Sequence, residues 1–205
     1  MRTGIFGGSF NPPHLGHLHL AESVHDALGL DEVWLVPSGI SPHRSMTAYA
    51  SGEDRLAMCR LMAEEHDWMR AEDYELRQDG ISYTWRTLVH FAETFPENEL
   101  FLLVGGDMLS SFTQWNLWQE ILRRAALAAV TREPGEYEQL VPHAEELRQH
   151  GEVYLLNVES FAISSTKIRE RIQKSQDCSC YLPEKIVQYI QTRNLYAGCD
   201  VECIR

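Results

Sequence analysis

The segment GGSFNPPHLGH, residues 7–17, sets two glycines, two prolines and two histidines ahead of a helical run. Gly7 and Gly8 let the backbone turn sharply and approach a ligand closely. The N–H groups at the start of the next helix carry partial positive charge suited to phosphate. His14 and His17 are three apart, so at about 100° per residue they share one face of the first turn, aimed at that anion site. A single helical histidine is usually a surface or hydrogen-bonded residue; a pair behind a glycine loop points instead to phosphate chemistry. Zinc on the two would need further ligands, and the pair lacks a companion acidic motif.

A second anion site is spelled far down the chain in ESFAISSTKIRERI, residues 159–172. Ser164, Ser165 and Thr166 can cap a helix and donate hydroxyl and N–H bonds, with Lys167 and Arg169 in its first turns. Alone this reads as a well-capped surface helix. In a crossover fold, both helix starts can face one triphosphate.

The elements that must position these groups alternate. Strand patterns fall at residues 2–6, 32–37, 99–104, 126–132 and 152–158, with a weak strand or loop at 68–75. Helical patterns fall at about 14–28, stopped by Gly29, after Ser51, and near 84–94, 115–123, 138–149, 165–174 and 183–193. Such alternation predicts an α/β fold, a parallel sheet with helices on both faces. Ligands then sit beyond the carboxyl ends of the strands. That selects Gly7, Gly8, Ser9, Asn11, His14 and His17 after the first strand, residues 38–44 after the second, 105–107 after the fourth, Arg132 after the fifth and 160–169 after the sixth.

With 205 residues and no repeat or linker, one domain is expected, its C-terminal part from about 160 helical. A net charge of -12 argues against a duplex-binding surface and for a few placed phosphate donors. No stretch approaches the roughly 20 apolar residues of a membrane helix, and the N-terminus runs into a strand without a leader pattern, so a cytoplasmic protein is expected. Five cysteines, an odd number, argue against a secreted disulfide framework. The spacings of Cys178, Cys180, Cys199 and Cys203 are not the usual zinc pairs, which favours reduced, unliganded thiols.

GGSFNPPHLGH followed by ISSTKIR resembles the H-x-G-H nucleotidyltransferase superfamily. VPSGISPHR, ISYTWRTL, VGGDMLSSFTQWNLW, AAVTREPG and LPEKIVQYIQTRNLY extend the likeness, in order, to bacterial nicotinate-mononucleotide adenylyltransferases. The resemblance implies a Rossmann-like, doubly wound single nucleotidyltransferase domain that joins ATP to nicotinic acid mononucleotide, giving deamido-NAD and pyrophosphate with Mg2+ carried by ATP. It leaves open whether the enzyme is a homo-oligomer.

By that resemblance His17 contacts the α-phosphate, while His14, Ser164, Ser165, Thr166 and Arg169 hold the rest of the triphosphate. Gly7, Gly8, Ser9 and Phe10 offer backbone contacts. Asp107 meets ribose or the magnesium nucleotide, although the bare residue could equally cap the next helix. Trp115 stacks on the pyridine, with Thr84 and Asn116 presenting N–H groups to its carboxylate; without the resemblance Trp115 reads as core, as Trp118 does. Asn11, His43, Arg44 and Arg132 complete the mononucleotide site. Arg44 stands where the family usually has lysine, which keeps charge and changes geometry. The rivals are a nicotinamide-preferring relative, a phosphopantetheine adenylyltransferase, a class I aminoacyl-tRNA synthetase and a nucleotide-binding regulator without turnover.

Overall fold

The computed structural model describes residues 1–40, 50–158 and 163–197. Its strands are β1 (Arg2–Gly8), β2 (Glu32–Pro37), β3 (Met69–Ala71), β4 (Glu99–Gly105), β5 (Ala125–Thr131) and β6 (Val153–Asn157). Its α-helices are α1 (Leu15–Leu28), α2 (Gly52–Ala63), α3 (Thr84–Thr94), α4 (Gly106–Ser110), α5 (Trp118–Arg124), α6 (Glu136–Leu147), α7 (Ser165–Gln173) and α8 (Glu184–Thr192).

The six strands are all parallel, in the order β3-β2-β1-β4-β5-β6. The chain winds outward from β1 to β3, returns to the far side of β1, and winds outward again to β6. Crossovers leaving β1 and β4 in opposite directions open a crevice beyond their carboxyl ends, the place where open α/β sheets bind ligands. Register shows the opening directly. β1 pairs with β2 as far as Gly8↔Pro37, but with β4 only from Arg2↔Glu99 to Ile5↔Leu102. Beyond Ile5 the two central strands stop pairing.

Burial on both faces explains why the strands read as apolar runs such as VWLV and LFLLV. Phe6, Val33, Leu35, Phe101, Leu103 and Val130 pack toward α1, α2, α7 and α8. Their alternates Ile5, Trp34, Val36, Leu102, Val104 and Leu127 pack toward α3, α4, α5 and α6. Each such side chain, fully buried, contributes about 1.5–3 kcal/mol.

Helix ends follow their punctuation. Gly29 closes α1 in the left-handed region at φ 58°, and the Ser51 hydroxyl opens α2 by accepting from Asp54 N at 3.0 Å. Two expectations shift. The ambiguous 68–75 segment divides into the three-residue edge strand β3 and a 3-10 turn over Tyr74–Arg77. The helix expected from Trp115 starts only at Trp118, because the chain first makes α4 and a 3-10 turn (Phe112–Gln114), and Leu117 then adopts φ 53°. Among the described residues no helix is long and apolar enough to cross a membrane.

Candidate active site

Where β1 and β4 part lies a cleft of about 240 Å³. One side is made by the end of β1 and by Ser9 and His17; the other by the end of β4, Asp107, Thr84, Trp115, Asn116 and Arg132.

At the β1 side the two histidines take different places. His14 is the N-cap of α1 with extended dihedrals (φ -147°, ψ 169°), so the helical-face argument does not govern it. Its ring is 3% exposed and lies against the His17 ring, centroids 3.7 Å apart and planes 34° apart. Only His17 reaches the cleft wall. The His14 backbone N–H donates to His17 Nδ1 at 3.2 Å, which makes Nδ1 the acceptor and leaves the ring proton on Nε2. Burial, then the charge of Arg132, holds His14 down to about 3, so it stays neutral beneath its neighbour.

The space between them is tight. A Cβ on Gly16 would lie 3.0 Å from His14 Nδ1. Phe10 is buried at φ 44°, edge-on to His17 at 5.0 Å and to Phe6 at 5.4 Å. A Cβ on Gly8 would press on its ring at 3.1 Å. Phe10 therefore props the catalytic candidate from behind. Arg55, buried in α2 and not flagged by sequence reasoning, donates from Nη1 to Ser9 O at 2.9 Å and holds the same loop.

The α7 residues stand behind this loop rather than on the described wall. Ser164 Oγ caps α7 by accepting from Lys167 N at 3.3 Å. Ser165 Oγ donates to Pro12 O at 2.9 Å, and Arg169 donates to Asn11 O at 2.7 Å and to Thr166 Oγ1 at 3.2 Å. Asn11, expected to touch the mononucleotide, is fully buried. Its Oδ1 accepts from Ala50 N at 3.0 Å and Tyr196 Oη at 2.8 Å. It knits the loop to the C-terminal segment instead.

At the β4 side, Thr84 is the first residue of α3 and Asn116 precedes the Leu117 N-cap of α5. Two helix starts thus meet at the wall, and the first N–H groups of a helix have no intrahelical acceptor. Trp85 Nε1 donates to Asn116 Oδ1 at 2.8 Å and ties them together. Trp115 is half-buried on the wall with its ring 5.4 Å from Phe112; it and Trp118 both pack against the β4-side core, and of the two Trp115 lines the cleft. Asp107 makes no side-chain cap for α4; its exposed carboxylate folds back over Gly105.

The Arg132 loop is pinned by Glu136, whose Oε2 accepts from Arg132 N at 2.8 Å and Glu133 N at 3.2 Å. A Cβ on Gly106 would overlap that carboxylate. Sequence reasoning also passed over Glu75, which lines the cleft at 8% exposure. It follows β3, the strand too short to read, so the search beyond strand ends skipped it.

His43 and Arg44 lie outside the described residues, as do Cys199 and Cys203. Cys59 and Cys178 are buried free thiols and Cys180 is exposed; burial pushes the Cys178 thiol up. Among the described residues no three His, Cys, Asp or Glu cluster as metal ligands.

Comparison with known proteins places the chain in a family. The cytidylyltransferase-like family model matches residues 5–171. A "Probable nicotinate-nucleotide adenylyltransferase" of Geobacillus thermodenitrificans is 35% identical over 96% of this chain and 87% of its own, and one of Bacillus mycoides is 34% identical over 95% and 98%. The chain belongs to the nicotinate-nucleotide adenylyltransferase family. The family's fold is also shared with the Plasmodium falciparum nicotinic acid mononucleotide adenylyltransferase complexed with NaAD, at a TM-score of 0.77 and 19% identity over 95% of this chain and 97% of that one. In this member, the two family motifs sit on different layers of one loop: His17 faces the cleft, and the ISSTKIR helix braces it from behind.

Proposed function

We propose that the protein transfers the adenylyl group of ATP to nicotinic acid mononucleotide by direct in-line displacement, without a covalent enzyme intermediate. The observation that carries this reading is the single cleft lined on one side by the glycine loop and His17 and on the other by Thr84, Trp115 and Asn116. One end suits a triphosphate and the other a flat anionic ring.

The nucleophile is a phosphate oxygen of the mononucleotide, already largely ionised near neutral pH because a phosphate monoester has its second pKa near about 6. It forms a bond to the α-phosphorus as the bond to the β-bridging oxygen breaks, and pyrophosphate leaves with that electron pair. No general base is needed. Catalysis reduces to alignment and to donors placed where negative charge grows.

His17 is the donor for the α-phosphate, through the Nε2 proton that its capping bond dictates. A ring so pinned pays little reorganisation as the charge develops. The α7 start, held by Ser165 and Arg169 against the Asn11–Pro12 backbone, offers N–H groups and Thr166 to the outer phosphates.

The donor set fits magnesium carried by the triphosphate: Asp107 is the exposed carboxylate on the described wall, and Mg2+ keeps phosphate and water ligands rather than a protein cage. When bound, it would neutralise charge on the departing pyrophosphate. Trp115 supplies a stacking face, and the α3 and α5 starts supply N–H donors that suit a carboxylate better than an amide.

Pyrophosphate release by the purified protein from ATP with each mononucleotide tests the reading. Turnover with the nicotinate form, at least tenfold more efficient than with the nicotinamide form, is expected. Equal use of the two would refute the donor account of the ring pocket, and no turnover with either would refute the activity.

A further inference from the structure

Two carboxylates outside the reaction just described are buried, Asp54 and Glu75. Asp54 is fully employed in the frame, joining α2 to α8 through Tyr189 Oη at 2.9 Å and Arg193 Nε at 3.2 Å. Glu75 is different, because it lies on the cleft wall.

Glu75 Oε1 accepts from Thr87 Oγ1 at 2.7 Å, and the Ser82 hydroxyl bonds the same carboxylate. These two residues bracket Tyr83 and Thr84, the start of α3. The Ser82 oxygen also accepts from Gly39 N at 3.1 Å. Ser82 N donates to Ile40 O at 2.9 Å. Three segments therefore converge on one carboxylate: the stretch after β2, the 3-10 turn after β3, and the entry to α3. They meet so closely that a Cβ on Gly39 would lie 2.6 Å from Glu75 O and 3.0 Å from Ser82 Oγ.

We propose that Glu75 is the positioning residue of the mononucleotide subsite: by accepting from Ser82 and Thr87 it fixes the entry of α3 and aims the Thr84 N–H at the ring carboxylate. The inference rests on the adenylyltransferase reading and gives that subsite its specificity device. Burying a carboxylate for framing alone is costly, and a hydroxyl-to-hydroxyl arrangement would leave Ser82 free to turn. Burial pushes the carboxyl up, while the Thr87 and Ser82 bonds and the Arg55 charge oppose that push.

The test compares Glu75→Gln, Thr87→Val and wild type in steady-state kinetics with ATP and each mononucleotide, alongside thermal melts. Glu75→Gln is expected to raise KM for nicotinic acid mononucleotide at least tenfold, to leave KM for ATP within about twofold, and to bring the acid-to-amide efficiency ratio toward one. Thr87→Val, which removes one of the two bonds, should move the same two quantities by a smaller factor, and it carries the test if Glu75→Gln does not fold. A merely structural role would lower the melting temperature and leave the KM split and the ratio unchanged, which overturns the inference. If wild type turns over neither mononucleotide, the functional reading falls and this inference with it; if wild type is active and the ratio is untouched in both variants, only the inference falls.

Discussion

At the end of the cleft proposed for the triphosphate, the phosphate end, the bonds that shape the site join distant parts of the chain: Ser165 to Pro12 and Arg169 to Asn11, 153 and 158 positions apart. At the pyridine end they join near neighbours, Glu75 to Thr87 over 12 positions and Trp85 to Asn116 over 31. The difference teaches that the ends can fail separately. Closing a long loop costs only slightly more entropy than closing a short one, so the phosphate end is not intrinsically weak. It depends, however, on α7 being docked, whereas the pyridine end depends on α3, α5 and the 3-10 turn that carries Glu75.

The largest effect should come from the group proposed to meet the reacting atom. His17→Ala is expected to fold normally and to lose at least about a hundredfold in kcat, since one preorganised donor at a charged transition state is worth roughly 3 kcal/mol. Turnover near wild type would remove His17 from the catalytic role and dissolve the contrast between the ends.

Next, Arg169→Ala cuts the link from α7 to the Asn11 carbonyl. A charged hydrogen bond contributes about 1.5–3 kcal/mol, so KM for ATP should rise by roughly tenfold to a hundredfold while KM for the mononucleotide stays nearly constant. A parallel rise in both constants would show that the ends are not separable.

Trp115→Ala is the mirror test. Losing a stacking surface worth about 1–3 kcal/mol should weaken both mononucleotides about tenfold and spare ATP, and it should leave the acid-to-amide ratio intact because stacking does not read the carboxylate. A ratio that vanished with Trp115 would place specificity in the ring rather than in the α3 and α5 starts.

The smallest effect concerns acid. His14 is neutral in the fold down to about pH 3 but titrates near 6.5 when unfolded. Between those values the unfolded chain binds more protons, so stability conferred by neutral His14 is present above about pH 6.5 and declines as pH falls toward 3, by up to about 1.4 kcal/mol per pH unit. Denaturant unfolding from pH 7 to 5 should show a shallower decline in His14→Asn than in wild type. Identical slopes would mean that His14 takes up its proton alike in the folded and the unfolded chain.

Much of the fold was legible because a parallel sheet buried on both faces writes its strands as apolar runs, and β2 and β4 stand where the runs VWLV and LFLLV stand. β3 was hard to read because three edge residues carry no period, and Glu75 went unnoticed with it. His17 could be found from its glycine loop. His14 was misdirected because spacing arguments assume helical dihedrals, and an N-cap does not have them. The pyridine wall could be named only by resemblance: Trp115 next to Trp118 has no local pattern that separates a cleft residue from a core one.

Gly106 and Glu136 belong to different elements, yet the missing side chain of one is the space filled by the carboxylate of the other. A side chain at 106 makes the Glu136 carboxylate shift, and that carboxylate is the one that holds the backbone at Arg132 and Glu133. The two sites therefore form one unit of inheritance. A library randomised at both positions and screened for turnover should return correlated pairs, with glycine at 106 enriched where an acid stands at 136.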